Sequence, residues 1–146
     1  MPAERLRSGL SDLRKMLDSI SVLLRKGKSR QLSIREVVKQ AVELNESRFA
    51  FHGFTVSSPV LTGESPDFFV TAPQHLLLSA LNNIIDNAIY WASHRHKQEP
   101  ERNNKPALLI TTSWTQADGG VLTVVDNGGG FSIPTADALQ PFVTKR

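Results

Sequence analysis

The chain has 146 residues, with 17 Lys/Arg against 14 Asp/Glu, 40% apolar residues and no cysteine. That length predicts one domain with its own core, burying on the order of two-thirds of its unfolded surface. The absence of cysteine excludes a disulfide framework and any thiolate metal site. No apolar run approaches the roughly 20 residues that span a bilayer, and the N-terminus does not read as a signal peptide, so the expectation is a soluble, cytoplasmic domain with no membrane segment.

The first element in chain order is an amphipathic helix. Leu6, Leu10, Leu13, Leu17, Ile20 and Leu24 are spaced 4, 3, 4, 3, 4, a heptad seam of nearly three heptads. One reading is a helix packed on its own domain. The favoured one is a dimerising helix, since nothing else in residues 1–28 offers a core to join, and it predicts a homodimer through residues 6–24. Residues 1–48 hold 11 Lys/Arg against 6 Asp/Glu, so the net positive charge belongs to the leading helices. The run Arg25-Lys26-Gly27-Lys28-Ser29-Arg30 then breaks the seam. Gly27 reads as a helix stop, and cations near a helix C-terminus suit its dipole. The run lacks the aromatic interleaving of a nucleic-acid surface, so nucleic acid is not the expected partner. Residues 1–30 are set apart as a helical segment, with the main domain over residues 31–146.

A second helix is predicted from Ser33. Ser33 and Glu36 form a Ser-x-x-Glu capping box, and Ile34, Val37, Val38, Ala41, Val42 and Leu44 supply an apolar face. It runs to about Phe51, and Gly53 ends it. Phe54-Thr55-Val56 and Phe68-Phe69-Val70 read as short strands around a Ser/Pro/Gly loop. Residues 74–93 form a helix that is apolar on most sides, hence expected to be well buried. Residues 94–106 are polar with two prolines and read as a loop, in which His94, His96 and Glu99 are solvated rather than metal-binding. Ala107–Trp114 and Gly120–Val125 read as antiparallel strands joined through Asp118-Gly119-Gly120. Helices and strands mixed in this order fit an α/β sandwich with helices on one face of a sheet.

Two short stretches carry chemistry. In Leu81-Asn82-Asn83-Ile84-Ile85-Asp86-Asn87, the asparagines 83 and 87 are four residues apart, which puts both amides on one helix face. Asn87 could equally be a satisfied core amide. Some forty residues on, the apolar run Val121–Val125 ends in Asp126-Asn127-Gly128-Gly129-Gly130. A carboxylate at a strand end beside bare backbone suits a flat, polar ligand lying close to the main chain. The duller reading of Asp126 is a turn cap. Trp91 reads either as core packing or as a ligand contact, and Asp86, on a different face from the asparagines, as structural.

This pairing resembles the nucleotide-binding motifs of the GHKL superfamily, the Bergerat-fold ATPases and sensor histidine kinases. Asn83-Ile84-Ile85-Asp86-Asn87-Ala88 looks like the family's N box, and Asp126-Asn127-Gly128-Gly129-Gly130 like its first glycine box. Pro141-Phe142-Val143-Thr144-Lys145 looks like the box that opens the lid over ATP. The resemblance covers roughly residues 31–146. It implies an α+β fold: a two-layer α/β sandwich (Bergerat fold) with a mixed sheet and helices on one face, preceded by the N-terminal amphipathic helix. It implies ATP and Mg²⁺ as ligands, with Asn87 on the metal and Asp126 accepting from the adenine amino group. Asn83, Trp91, Gly128, Gly130, Phe142, Thr144 and Lys145 complete the expected nucleotide site.

The departures shape the functional expectation. Asn83 stands where hydrolytic members carry a catalytic glutamate, and an amide cannot take a proton from water at neutral pH. No residue is therefore assigned as catalytic. Tyr90 replaces a lysine that kinase members often place against the phosphates. The family's second glycine box and last strands are expected beyond Arg146, which predicts a fragment of a longer protein. Weak or absent nucleotide binding, no kinase activity and a non-monomeric state are expected of that fragment. His52, His75, His94 and His96 are the histidines, none of them in residues 1–30. The chain is thus expected to be the ATP-binding part of a histidine-kinase-like protein. It would present Mg-ATP for transfer to a histidine outside this chain, with a response-regulator-type protein as partner. The alternative is a non-kinase module that uses ATP-driven lid closure or dimerisation to switch partners.

Overall fold

The computed structural model describes residues 27–99 and 104–130. The leucine seam of residues 6–24, and Phe142, Thr144 and Lys145, lie outside the described residues. In chain order the elements are β1 (Arg30–Ser33), α1 (Ile34–His52), β2 (Thr55–Ser57), α2 (Pro59–Thr62), β3 (Phe69–Ala72), α3 (Gln74–Gln98), β4 (Ala107–Thr115) and β5 (Gly119–Asp126).

The start and stop of α1 are set by local chemistry. Ser33 Oγ accepts from the Glu36 backbone N–H at 3.2 Å, which satisfies one of the donors a helix leaves open at its first turn. The same hydroxyl donates to Asp67 Oδ2 at 2.7 Å, and Asp67 Oδ1 accepts from the Arg35 N–H at 2.9 Å. At the far end Gly53, with φ of 65°, closes the helix in the left-handed region. Both ends agree with the sequence expectation.

The strands form two sheets. β1 and β3 pair antiparallel, from Arg30↔Ala72 to Ser33↔Phe69. β1 has no counterpart in the sequence reading, because Arg30-Gln31-Leu32-Ser33 carries one apolar residue and no β-branched one; pairing with β3 makes it a strand. The second sheet has the order β2-β4-β5. β2 runs parallel to β4, and β4 antiparallel to β5 from Leu108↔Asp126 to Thr115↔Gly119. Leu108, Ile110 and Thr112 alternate inward and are buried, so one face of the sheet is covered. The cover is α1 and α3, whose Val37, Val38, Ala41, Ile85, Ala88 and Ile89 join the strands in a single core. Fully burying each of the larger members of that core contributes about 1.5–3 kcal/mol. This is a mixed α+β arrangement compatible with a two-layer sandwich. No described helix is long and apolar enough to cross a membrane.

Where β5 begins, the ring of Phe68 occupies the space in which a Cβ on Gly120 would stand. Position 120 therefore has room for backbone alone.

α3 departs from expectation twice. It was expected to be buried on most sides, yet it buries only the stripe Leu81, Ile85, Ala88, Ile89, Ala92 and Ser93. Ile84 is 49% exposed and Tyr90 59%. One stripe suffices to meet α1 and the sheet, and among the described residues no further layer covers the rest. The helix also continues past residue 93, through the stretch read as a loop, to Gln98. Arg95, His96 and Lys97 fall in its last turn, where positive charge faces the open carbonyls, and Arg95 Nε reaches Glu99 Oε2 at 3.4 Å.

Polar contacts fix α3 against α1. Gln74 Nε2 donates to Gln40 Oε1 at 2.7 Å. Asn45, buried at 4% exposure, donates through Nδ2 to Ala41 O at 2.9 Å and Asn82 Oδ1 at 3.0 Å. Arg48 donates to Asn45 Oδ1 at 2.9 Å and pairs with Asp86. Residue numbers rise together along both helices, so they run parallel. Asp86 has a structural partner, as its separate helix face suggested.

Candidate functional site

The exposed face of α3 carries Asn83, Asn87, Tyr90, Trp91 and His94. These positions follow helical spacing, so the side chains emerge on one side over three turns. Asn87 is exposed, which removes the reading of a core amide. Trp91 is 42% exposed, so core packing does not describe it either. Tyr90 and His94 stack with ring centroids 6.0 Å apart and planes at 4°. Trp91 meets Tyr90 edge-on at 5.0 Å. Gln98 Nε2 lies 2.8 Å from His94 Nε2.

β5 brings the second half of the site to this face. Asp126 is its last residue, and the chain then turns back on itself. Asp126 Oδ1 accepts from the Gly128 N–H at 2.8 Å, a carboxylate bonding its own backbone two residues on. Oδ2 has no hydrogen-bond partner among the described residues. Gly128 lies directly on α3. A Cβ there would stand 3.0 Å from Trp91 Cβ and 3.1 Å from Ala92 N. The glycine loop thus touches the helix one turn beyond Asn87 and two beyond Asn83. Gly130 adopts φ of 73°, and among the described residues no atom lies within 4 Å of where its Cβ would stand.

Two residues that the sequence reading did not single out hold this loop. Asn127 closes it onto the start of β4: its Oδ1 accepts from Ala107 N at 2.9 Å and its Nδ2 donates to Lys105 O at 2.9 Å. Arg95 Nη1 donates to Gly128 O at 2.8 Å and to Asn127 O at 3.3 Å. Asn127 was in view as part of the Asp-Asn-Gly turn. Arg95 was hidden because its stretch read as loop. A cleft of about 80 Å³, lined by Ala92, Arg95, His96, Glu99, Asn104 and Asn127, sits at this clamp.

Of the expected site residues, Trp91, Asp126 and Gly128 come together directly. Asn83 and Asn87 share the same helix face, and Gly130 follows in the same loop. Phe142, Thr144 and Lys145 are outside the described residues. The polar groups of this face are two amides, a phenol, an imidazole and one carboxylate. Arg95, the nearest described cation along the helix, is committed to the loop carbonyls. Such a set can hydrogen-bond a planar heterocycle, stack against it, and offer hard oxygen donors to a cation. No protein-family model matches the chain, and no curated protein matches it.

Proposed function

We propose that this chain is an adenine-nucleotide-binding domain of the GHKL type, built on the Bergerat fold, and that it forms the ATP-binding part of a histidine-kinase-like protein. The observation that carries the reading is the seating of Gly128 on Trp91 and Ala92. It joins the strand-end carboxylate to the asparagine face of α3 in one surface. Asp126 Oδ2 accepts from the adenine amino group, Gly128 and Gly130 allow the ring close to the backbone, and Trp91 offers an aromatic wall. Asn87 would offer a neutral oxygen to Mg²⁺, a hard cation that takes oxygen donors. ATP supplies the phosphoryl group. This chain's residues bind and orient it, and Asn83, being an amide, leaves water unactivated.

A second reading, a GHKL module that switches partners on ATP binding without phosphorylating them, is favoured by one feature. Tyr90 stacks on His94 at the position where a phosphate-facing cation would stand in a kinase.

Both readings require the same nucleotide site. The test is an NMR titration of the ¹⁵N-labelled chain with ADP and Mg²⁺ to millimolar concentration. Saturable shifts are expected at the side-chain amides of Asn83 and Asn87, the Trp91 indole, and the backbone of Gly128 and Gly130. Asp126→Ala should weaken the apparent affinity by about five- to 150-fold, the equivalent of roughly 1–3 kcal/mol for an unpaired donor. Asn87→Ala should abolish the magnesium dependence. Saturable shifts that fall away from the α3 face, or an affinity indifferent to Asp126→Ala, would remove the assignment.

A further inference from the structure

The two flanks of α1 are used differently. One is bonded to α3 through Gln40, Asn45 and Arg48. The other is open. There Val42, Phe49 and Ala50 of α1, with Phe54 and Val56 below, wall a groove of about 490 Å³. Glu43 and Glu46 stand in its lining, which includes no Lys or Arg. Beneath it, β2 pairs with β4 and with no other described strand. α3 lies beside α1 on the opposite flank and packs against β5. A further helix in the groove would extend the same layer over β2.

We infer that this groove receives the chain's own leucine segment, residues 6–24. Three features select that occupant. The segment's leucines and isoleucine fall on a single stripe at helical spacing, the complement of a narrow apolar trough. Residues 1–26 carry six Lys/Arg against three Asp/Glu, opposite in sign to Glu43 and Glu46. As a helix the seam is about 28 Å long, longer than the stretch of α1 from Val42 to Ala50 that walls the trough, so it is long enough to cover it. The segment then buries its stripe within one chain, and its cations answer the carboxylates at the groove. This seat competes with the dimer expected from the heptad pattern: a stripe lying on α1 is no longer available to a second copy.

The chain has no cysteine, so Ser47→Cys gives a single attachment point for a nitroxide on the exposed surface of α1, outside the groove's lining. Two NMR samples separate the possibilities. In the first, ¹⁵N chain carrying the nitroxide is diluted into an excess of unlabelled, unmodified chain; amide signals from within residues 6–24 should be broadened. In the second, ¹⁵N wild-type chain is mixed with nitroxide-bearing unlabelled chain; the same signals should stay sharp. Broadening in the second sample alone assigns the seam to a dimer and overturns the inference. Sharp signals in both leave the groove to a different partner and overturn it equally. Adding Glu43→Lys and Glu46→Lys to the first sample should at least halve the broadening while β4 and β5 signals hold their positions. Full retention of broadening there would remove the charge argument.

Discussion

A methyl group at position 128 would stand 2.6 Å from Asp126 Oδ1 as well as against Trp91 Cβ and Ala92 N. The last two cannot swing aside, since one is a Cβ and the other belongs to helix backbone. Gly128→Ala should therefore lift the loop off α3 and strain the bonds from Arg95 and to Asp126. The expected loss is about 1–3 kcal/mol, the usual range for overfilling a packed position. Gly129→Ala is the matched control, because among the described residues no atom lies within 4 Å of its added carbon. It should stay within about 0.5 kcal/mol of wild type. Urea unfolding of the two variants checks this, and equal midpoints would mean that the loop is not seated on the helix. At this scale the sequence was partly readable. Asp126 and the glycines announce a turn that needs bare backbone. That Arg95 holds the turn depends on a helix running five residues further than its apolar pattern does.

Among elements, the pairing of α1 with α3 rests on two kinds of contact, and their strengths differ. Asn45 is buried and serves both Ala41 O and Asn82 Oδ1. Removing its amide leaves partners unpaired in a dry contact, so Asn45→Ala should cost about 1–3 kcal/mol. The Arg48–Asp86 pair is about half exposed on both sides. Water screens it, so Asp86→Ala should cost no more than about 1 kcal/mol, and less in high salt. Chemical denaturation at low and high ionic strength ranks the two; the reverse order would make the ion pair the main tie. The ends of α1 were readable because Ser33 and Gly53 act within one turn of themselves. The strands β4 and β5 were readable because alternation is also local. β1 was not, because its pairing partner lies some forty residues away and its own composition argues for no strand. The exposure of α3 was misjudged for the same reason: an apolar helix surface predicts burial only if something is present to cover it.

For the molecule as a whole, Asp67 couples acidity to folding. Partial burial disfavours its charge, but the Ser33 hydroxyl, the backbone N–H groups of Arg35 and Phe68, and the Arg35 guanidinium together outweigh that and hold the carboxyl below its usual range. A carboxylate favoured in the folded state adds stability above the unfolded value, near 3.9 for a free aspartate, and loses it as pH falls through the lower folded value. Asp67→Asn should be less stable than wild type at pH 7, and the gap should close as the solution is taken below about pH 4. Urea midpoints at several pH values would show it; a gap that did not change with pH would mean that the charge contributes nothing. The wider consequence is that the start of α1 and the approach to β3 loosen together in acid, since one carboxylate bonds to both.

Gly120 bears on how the chain finds this arrangement. Slipping β5 by one residue against β4 turns its apolar side chains outward, and the alternation forbids that. Slipping it by two keeps every side chain on its proper face, so alternation alone is blind to that error. Position 120 is not blind to it. Opposite Trp114, beneath the Phe68 ring, a two-residue slip would place either Asp118 or Leu122 where only backbone fits. An aromatic ring outside the hairpin thereby acts as a gauge on its alignment, admitting one of the registers that the hydrophobic pattern leaves equivalent.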